Sequence, residues 1–235
     1  NNELKILFDF FLNSDNAGLN IPHVESLRDS MFFFMDKLDE VRLEWLPSSL
    51  YELAGLAQHY GLPTRLLDWS RDPYVSLYFA SRDTLDDKNN KISDPNDCMV
   101  LWGLNRSVIE HYNRNFAMPL KIINPPYSGN PNLNAQKGLF THWKSGNLGG
   151  KDNYIDKSID VDCKPLDCKI YEYLSKEKSF LNNPVICMYK FLIPTKEADS
   201  IFEGLNRMNY DAAKMFPGFD GISRSIQEKA LFQNH

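Results

Sequence analysis

The stretch AGLAQHYGLPTRLLDWSRDPYVSLYFASRD, residues 54–83, decides how this chain is read. Gln58, His59, Tyr60, Thr64, Arg65, Asp68, Trp69 and Ser70 crowd both sides of a Gly61-Leu62-Pro63 turn, and a nearly all-apolar segment follows. Upstream, Ser49-x-x-Glu52 has capping-box spacing, so a helix is expected to begin at Leu50. Gly61 is placed to end that helix in the left-handed conformation, and Pro63 keeps it from resuming. Leu50, Leu53, Ala54, Ala57 and Tyr60 form its apolar stripe at helical spacing. His59 falls off the stripe, on the face it shares with Glu52 and Gly55. A core histidine belongs on the stripe. This one faces either solvent or a second element across the smooth patch left by Gly55. Gln58 sits at the stripe's edge, where a half-buried amide usually finds a backbone partner.

An unperturbed imidazole titrates at about 6.5, so His59 has the chemistry of a base, an acid or a donor. The spacing names no partner for it, because Glu52 lies two turns away, about 10 Å along the axis. Beyond the turn, Leu66 and Leu67 are core candidates. Arg65 and Asp68 stand three apart and admit two readings. Either they pair and staple the turn, or Arg65 offers a fork to phosphate or carboxylate while Trp69 offers a flat surface to a ring. Asp72-Pro73 is a helix start, with the cap at Asp72 and proline at the first position. PYVSLYFAS is apolar nearly all round, so that helix is expected to be buried. Its N-terminus would turn partial positive charge toward the DWS turn, which suits an anion.

Working outward, ELKILFDFFLNS reads as a helix ending near Asn16–Gly18, and a second helix is expected over 24–38 with Phe32–Phe34 turned inward. Residues 81–97 read as an exposed polar loop, and CMVLWGLN (98–105) as a short buried strand followed by a helix over 106–116. AQKGLFTHW (135–143) looks like a strand, a polar loop covers 144–169, and VICMYKFLIP (185–194) is the strongest strand pattern. Thr195 is a candidate N-cap for a helix reaching Met208, and the last 25 residues look largely helical. Helices at both ends with strands in the middle and late part predict an α+β fold. The expectation is a single domain over 1–235, with helices flanking a small mixed or antiparallel sheet.

Composition narrows the function. Of 235 residues, 26 are Lys or Arg and 31 Asp or Glu, for a net charge of −5, which gives no footprint for nucleic acid. No apolar run has membrane-spanning length, and no secretory leader pattern opens the chain. Cys98, Cys163, Cys168 and Cys187 lack the paired spacing of a zinc site, and they read as reduced structural thiols of an intracellular, cytoplasmic protein with no metal. The P-loop, G-x-S-x-G, H-E-x-x-H and G-x-G-x-x-G fingerprints are all missing.

AQHYGLPTRLLDWSRDPYVSLYFA (57–80) resembles the signature of the FRG domain family nearly position for position, with Ser76 where the family commonly has alanine. NPPYSGNPNLNAQKGLFTHW (124–143) and MFPGFDGIS (215–223) are similar to later family segments, so the resemblance extends over most of the chain. The Phe-Arg-Gly strand that names the family does not occur, and the sequence begins where the family's first helix usually does. The resemblance therefore implies a first strand carrying an arginine, which either lies outside this sequence or is lacking in this protein. It also implies a bacterial or phage-encoded protein with a defence or toxin role, without fixing a reaction.

Two function classes lead, ahead of a hydrolase or nuclease of unknown type and a purely structural motif. In the first, Gln58, Tyr60, Thr64, Arg65, Asp68, Trp69 and Ser70 form a rigid pocket for a nucleotide or another small ligand, and no bond is made or broken. In the second, the order of elements resembles that of ADP-ribosyltransferases. That layout puts Ser70 near the nicotinamide-side strand and Gln136 at the late acidic position, and it makes His59 and Gln136 catalytic and NAD the substrate.

Overall fold

A computed structural model describes residues 2–22, 24, 27, 46–90, 97–128, 130–144 and 164–232. The expected helix over 24–38, with Phe32–Phe34, falls almost wholly outside them, as does most of the polar loop 144–169. The architecture is α+β. Its helices are α1 (Asn2–Asn16), α2 (Tyr51–His59), α3 (Pro73–Asn90), α4 (Arg106–Phe116), α5 (Pro131–Ala135), α6 (Leu166–Leu174), α7 (Lys178–Asn182), α8 (Ala198–Arg207), α9 (Ala212–Met215) and α10 (Phe219–Phe232). The strands β1 (Leu67–Ser70), β4 (Gly138–Trp143) and β3 (Leu120–Ile123) form one sheet in that order. β2 (Cys98–Leu104) and β5 (Met188–Pro194) form a second, antiparallel one.

The chain divides into two compact units, each assembled from three stretches of sequence. The first comprises Asn1–Asp68, Glu110–Gly129 and Phe140–Asn182. Here α1 buries Leu4, Leu7 and Phe11, a helical stripe, and packs on α2, which buries Leu53, Ala54 and Ala57. β3 and β4 pair antiparallel, with Ile123 opposite Phe140 and Lys121 opposite His142. His142 is buried, and its Nε2 accepts the Leu46 N–H at 2.8 Å, which places the ring proton on Nδ1. A Cβ added at Gly55 would lie 2.7 Å from Cε2 of Phe140, so the missing side chain is what lets α2 settle on β4. The element across from the Gly55 face is therefore a strand.

Trp69–Ile109, Asn130–Leu139 and Asn183–His235 make the second unit. Val75, Tyr78 and Leu85 of α3 share a core with Phe202 and Leu205 of α8, Ala212 and Met215 of α9, and Met99 of β2. α10 turns a polar stripe inward. Ser225 donates to Asp211 at 2.9 Å, and the Glu228 carboxylate accepts the Tyr78 hydroxyl and the Arg82 Nε at 3.0 Å. Phe219, Ile222 and Ile226 of the same helix are exposed.

Several expectations need correction. Ser49 lies inside a 3-10 turn, Ser48–Leu50, so α2 begins at Tyr51 with no side-chain cap. Leu50 already has near-helical dihedrals, which takes Ser49 away from the capping position. Tyr60 is 68% exposed because α2 closes at His59 and the stripe ends with it. Leu66 is buried, but Leu67, the next residue along an extended chain, points the other way and is exposed. α3 is half-buried rather than enclosed, and it continues through the expected loop as far as Asn90. Leu85 extends its buried stripe, Arg82 pairs with Asp86 one turn on, and Ser81 and Thr84 bond back to carbonyls at i−4. β2 buries only Met99 fully. β4 starts at Gly138, because Ala135 and Gln136 close α5 instead. Thr195 opens a 3-10 turn ahead of α8 and provides no side-chain cap.

Candidate functional site

The end of α2 positions the first cluster. Gly61 has φ +87°, its N–H bonds the Gln58 carbonyl, and the Leu62 N–H bonds the Ala57 carbonyl. This is a Schellman closure, and it reverses the chain within two residues. The return segment therefore runs back past the last turn of the helix. Thr64 and Asp68 are thereby brought to Gln58 and His59.

A directed chain of hydrogen bonds joins these groups. The Leu66 N–H donates to Thr64 Oγ1 at 3.2 Å, and the Thr64 hydroxyl donates to Gln58 Oε1. The Gln58 amide then donates to Asp68 Oδ2 at 2.7 Å. Gln58 is thus satisfied by side chains of the return segment, rather than by backbone alone. Asp68 is open to solvent as a residue, whereas its carboxyl end is crowded by the surrounding chain. That burial pushes its pKa above the ordinary 3.8, against the opposing pull of the Gln58 amide and His59. His59 is half-buried, and burial holds its imidazole below the ordinary 6.5 despite the nearby Asp68 carboxylate. Near neutral pH the histidine is therefore uncharged beside Asp68. The Tyr60 ring stands edge-on to it, with centroids 5.2 Å apart.

Residues 16–89 match the FRG domain. The matched segment carries all of this cluster and stops short of the later stretches, 124–143 and 215–223, that also resemble the family. No curated protein and no solved structure matches the chain.

Within the FRG segment, the Arg65–Asp68 pair is not made. Arg65 instead turns to α1, where Glu3 accepts its Nε at 2.6 Å and its backbone N–H at 3.2 Å. Asp68 is held by Gln58. The partner of Arg65 lies 62 residues away, and nothing local in the sequence signals it.

Trp69, Ser70 and Gln136 belong to the second unit. Trp69 is half-buried in β1. The Ser70 hydroxyl donates to the Gln136 carbonyl at 2.8 Å and accepts the Asp72 N–H at 3.0 Å. Gln136 stands at the C-cap of α5, not on a strand, and its amide donates to the Met215 carbonyl at 3.1 Å. Asp72 caps α3 as expected, with Oδ1 accepting the Tyr74 N–H. Its other oxygen takes the Lys137 ammonium at 2.7 Å and the Tyr210 hydroxyl at 2.9 Å. The anion at the start of α3 is thus the protein's own. Burial would raise the Asp72 pKa, but Lys137, Tyr210 and the Tyr74 amide together hold it below 3.8. Lys137 and Tyr210 escaped the sequence reading, which treated Asp72 only as a cap.

Cys98, Cys168 and Cys187 are free thiols, and burial raises the pKa of Cys187. No group of three His, Cys, Asp or Glu among the described residues is arranged to hold a metal. Likewise, no described helix is long and apolar enough to cross a membrane.

Proposed function

We propose that Gln58, His59, Tyr60, Thr64 and Asp68 form a small-ligand site that reads hydrogen-bond donors, such as the ribose hydroxyls or base amino groups of a nucleotide. The observation that carries this reading is the Asp68 carboxylate. Its Oδ2 is held by the Gln58 amide, on a residue that is itself exposed. A carboxylate so held accepts hydroxyl or amino protons and repels phosphate. Arg65, already engaged by Glu3, is not what favours a phosphate. Neutral His59 lines the site, and Tyr60 adds a flat edge for a base.

Calorimetric titration with adenosine, ADP-ribose and NAD tests the reading. Binding should weaken about ten- to a hundredfold in Asp68→Asn, which loses a charged acceptor. Unchanged affinity in that variant, with the fold intact, would refute the site. The ADP-ribosyltransferase-like reading is favoured by one feature, an uncharged imidazole beside a carboxylate, which is the form a general base needs. Nicotinamide release from NAD that disappears in His59→Ala would move the assignment from binding to catalysis. A defence or toxin role would follow only from such a ligand.

A further inference from the structure

Among the described residues the second unit holds a two-stranded sheet, and the outer edge of β5 has no strand beside it. Two hydrogen bonds fix which way its backbone faces. The Asn105 N–H donates to the Cys187 carbonyl at 2.8 Å, and the Thr195 N–H donates to the Asp97 carbonyl at 2.9 Å. Between these bonds the register runs without a break from Leu104↔Met188 to Cys98↔Pro194. In an antiparallel ladder, alternate residues bond inward. Tyr189, Phe191 and Ile193 therefore bond to β2, and Met188, Lys190 and Leu192 direct their N–H and C=O groups outward. Pro194 has no N–H and closes that edge.

Tyr189, Lys190, Phe191 and Leu192 are all exposed, Phe191 by 54% and Leu192 by 61%. A run of four exposed residues, three of them large and apolar, is unusual on a strand whose outer edge is unpaired. Side chains alternate along it. On one face stand Met188, Lys190 and Leu192, beside Leu104, Trp102 and Val100 of β2. On the other, the Tyr189 and Phe191 rings stack with centroids 6.1 Å apart. Lys190 is directly opposite Trp102, and its ammonium lies 5.3 Å from the centre of that ring. Among the described residues no carboxylate pairs with it.

We propose that the outer edge of β5 docks an extended strand of a partner protein, apolar at alternate positions with an acidic residue opposite Lys190. The backbone groups of Met188, Lys190 and Leu192 supply the hydrogen bonds of strand addition, and the side chains supply the selection. Charge favours an acidic partner strand over a second copy of this chain. Antiparallel self-pairing centred on this edge would set the two Lys190 side chains against each other, and a shift by one pair would set each lysine against Met188 or Leu192. A single lysine on an open edge thus discourages self-association and admits an acidic strand.

The test uses a fluorescein-labelled peptide, Thr-Val-Thr-Glu-Thr-Val-Thr, and the same peptide with lysine replacing glutamate, read by anisotropy at low salt. The glutamate peptide should bind about three- to tenfold more tightly to the native chain, and Lys190→Glu should reverse that order. Leu192→Pro removes an outward N–H but no bond to β2, and it should abolish binding while circular dichroism stays native. Two backbone-methylated peptides give a check that leaves the protein unaltered. A strand presents alternate amides to one edge, so methyls on the valines and glutamate, or on the threonines, should be tolerated in one set only. Several results would overturn the proposal: no binding of either peptide, a charge preference that survives Lys190→Glu, or equal tolerance of both methylated sets. A dimer in sedimentation that Leu192→Pro dissociates would also overturn it, by making a second copy the occupant.

Discussion

Gly55→Ala offers the sharpest test of how α2 is held, because two effects of opposite sign meet at that position. In the middle of a helix, alanine is favoured over glycine by about 1 kcal/mol. Here the new methyl would lie 2.7 Å from Phe140 Cε2 and 3.3 Å from its Cζ, inside contact distance of a ring that is almost fully buried. Overpacking of this kind costs about 1–3 kcal/mol, so the net change should be a loss of about 1 kcal/mol. Phe140→Leu removes the offending ring atoms. In that background, Gly55→Ala should become stabilising by about 0.5–1 kcal/mol, because the helix preference is then unopposed. Urea unfolding of the two single variants, the double variant and the native chain completes the cycle. The expected coupling is about 2 kcal/mol, at constant m-value. A Gly55→Ala effect of equal size and sign in both backgrounds would refute the close approach of α2 to β4, and with it the placement of the His59 face.

Two further perturbations probe the second unit. Burial pushes the Glu228 carboxyl above its ordinary 4.5, although the Tyr78 and Arg82 hydrogen bonds oppose the shift. The folded chain therefore holds this proton more tightly than the unfolded chain. Stability from this group is full below pH 4.5 and falls as the pH rises through the folded value. The difference between native and Glu228→Gln stability should follow that slope, and parallel curves across the same range would sink the assignment. Asp72→Ala should lose the α3 cap, about 1 kcal/mol by thermal or urea unfolding, and Asp72→Asn should recover most of it. Equal losses in the two variants would mean that the charge on Asp72, rather than its capping bond, holds the start of α3.

Local signals survive best in this chain. The Gly61 closure, the Asp72-Pro73 start, α4 over 106–116 and the pairing-competent segments at 98–104 and 188–194 could all be read from neighbouring residues. What could not be read depends on distant partners. Arg65 and Asp68 are three residues apart and of opposite charge, yet each is claimed elsewhere, by Glu3 across 62 residues and by Gln58 across the turn. Apolar composition also misled, because it reports strand or helix but not which face meets a neighbour. VICMYKFLIP makes a strand whose central four residues are exposed, and PYVSLYFAS makes a helix buried along one side only. In the cluster itself, the residue types were legible from their crowding around one turn, whereas their order of donation was not.

That order has a genetic consequence. Every link from Leu66 through Thr64 and Gln58 to Asp68 donates in one direction, and turning the Gln58 amide round would set its oxygen against Asp68 Oδ2. A glutamine codon becomes a glutamate codon by a change in its first base alone. At position 58 that single step would put a second carboxylate at hydrogen-bonding distance from Asp68, 2.7 Å from Oδ2, and the two would have to share a proton to remain there. A chain one base removed from this one would thus carry a proton-sharing acid pair in place of a fixed acceptor, with the backbone of the turn unchanged.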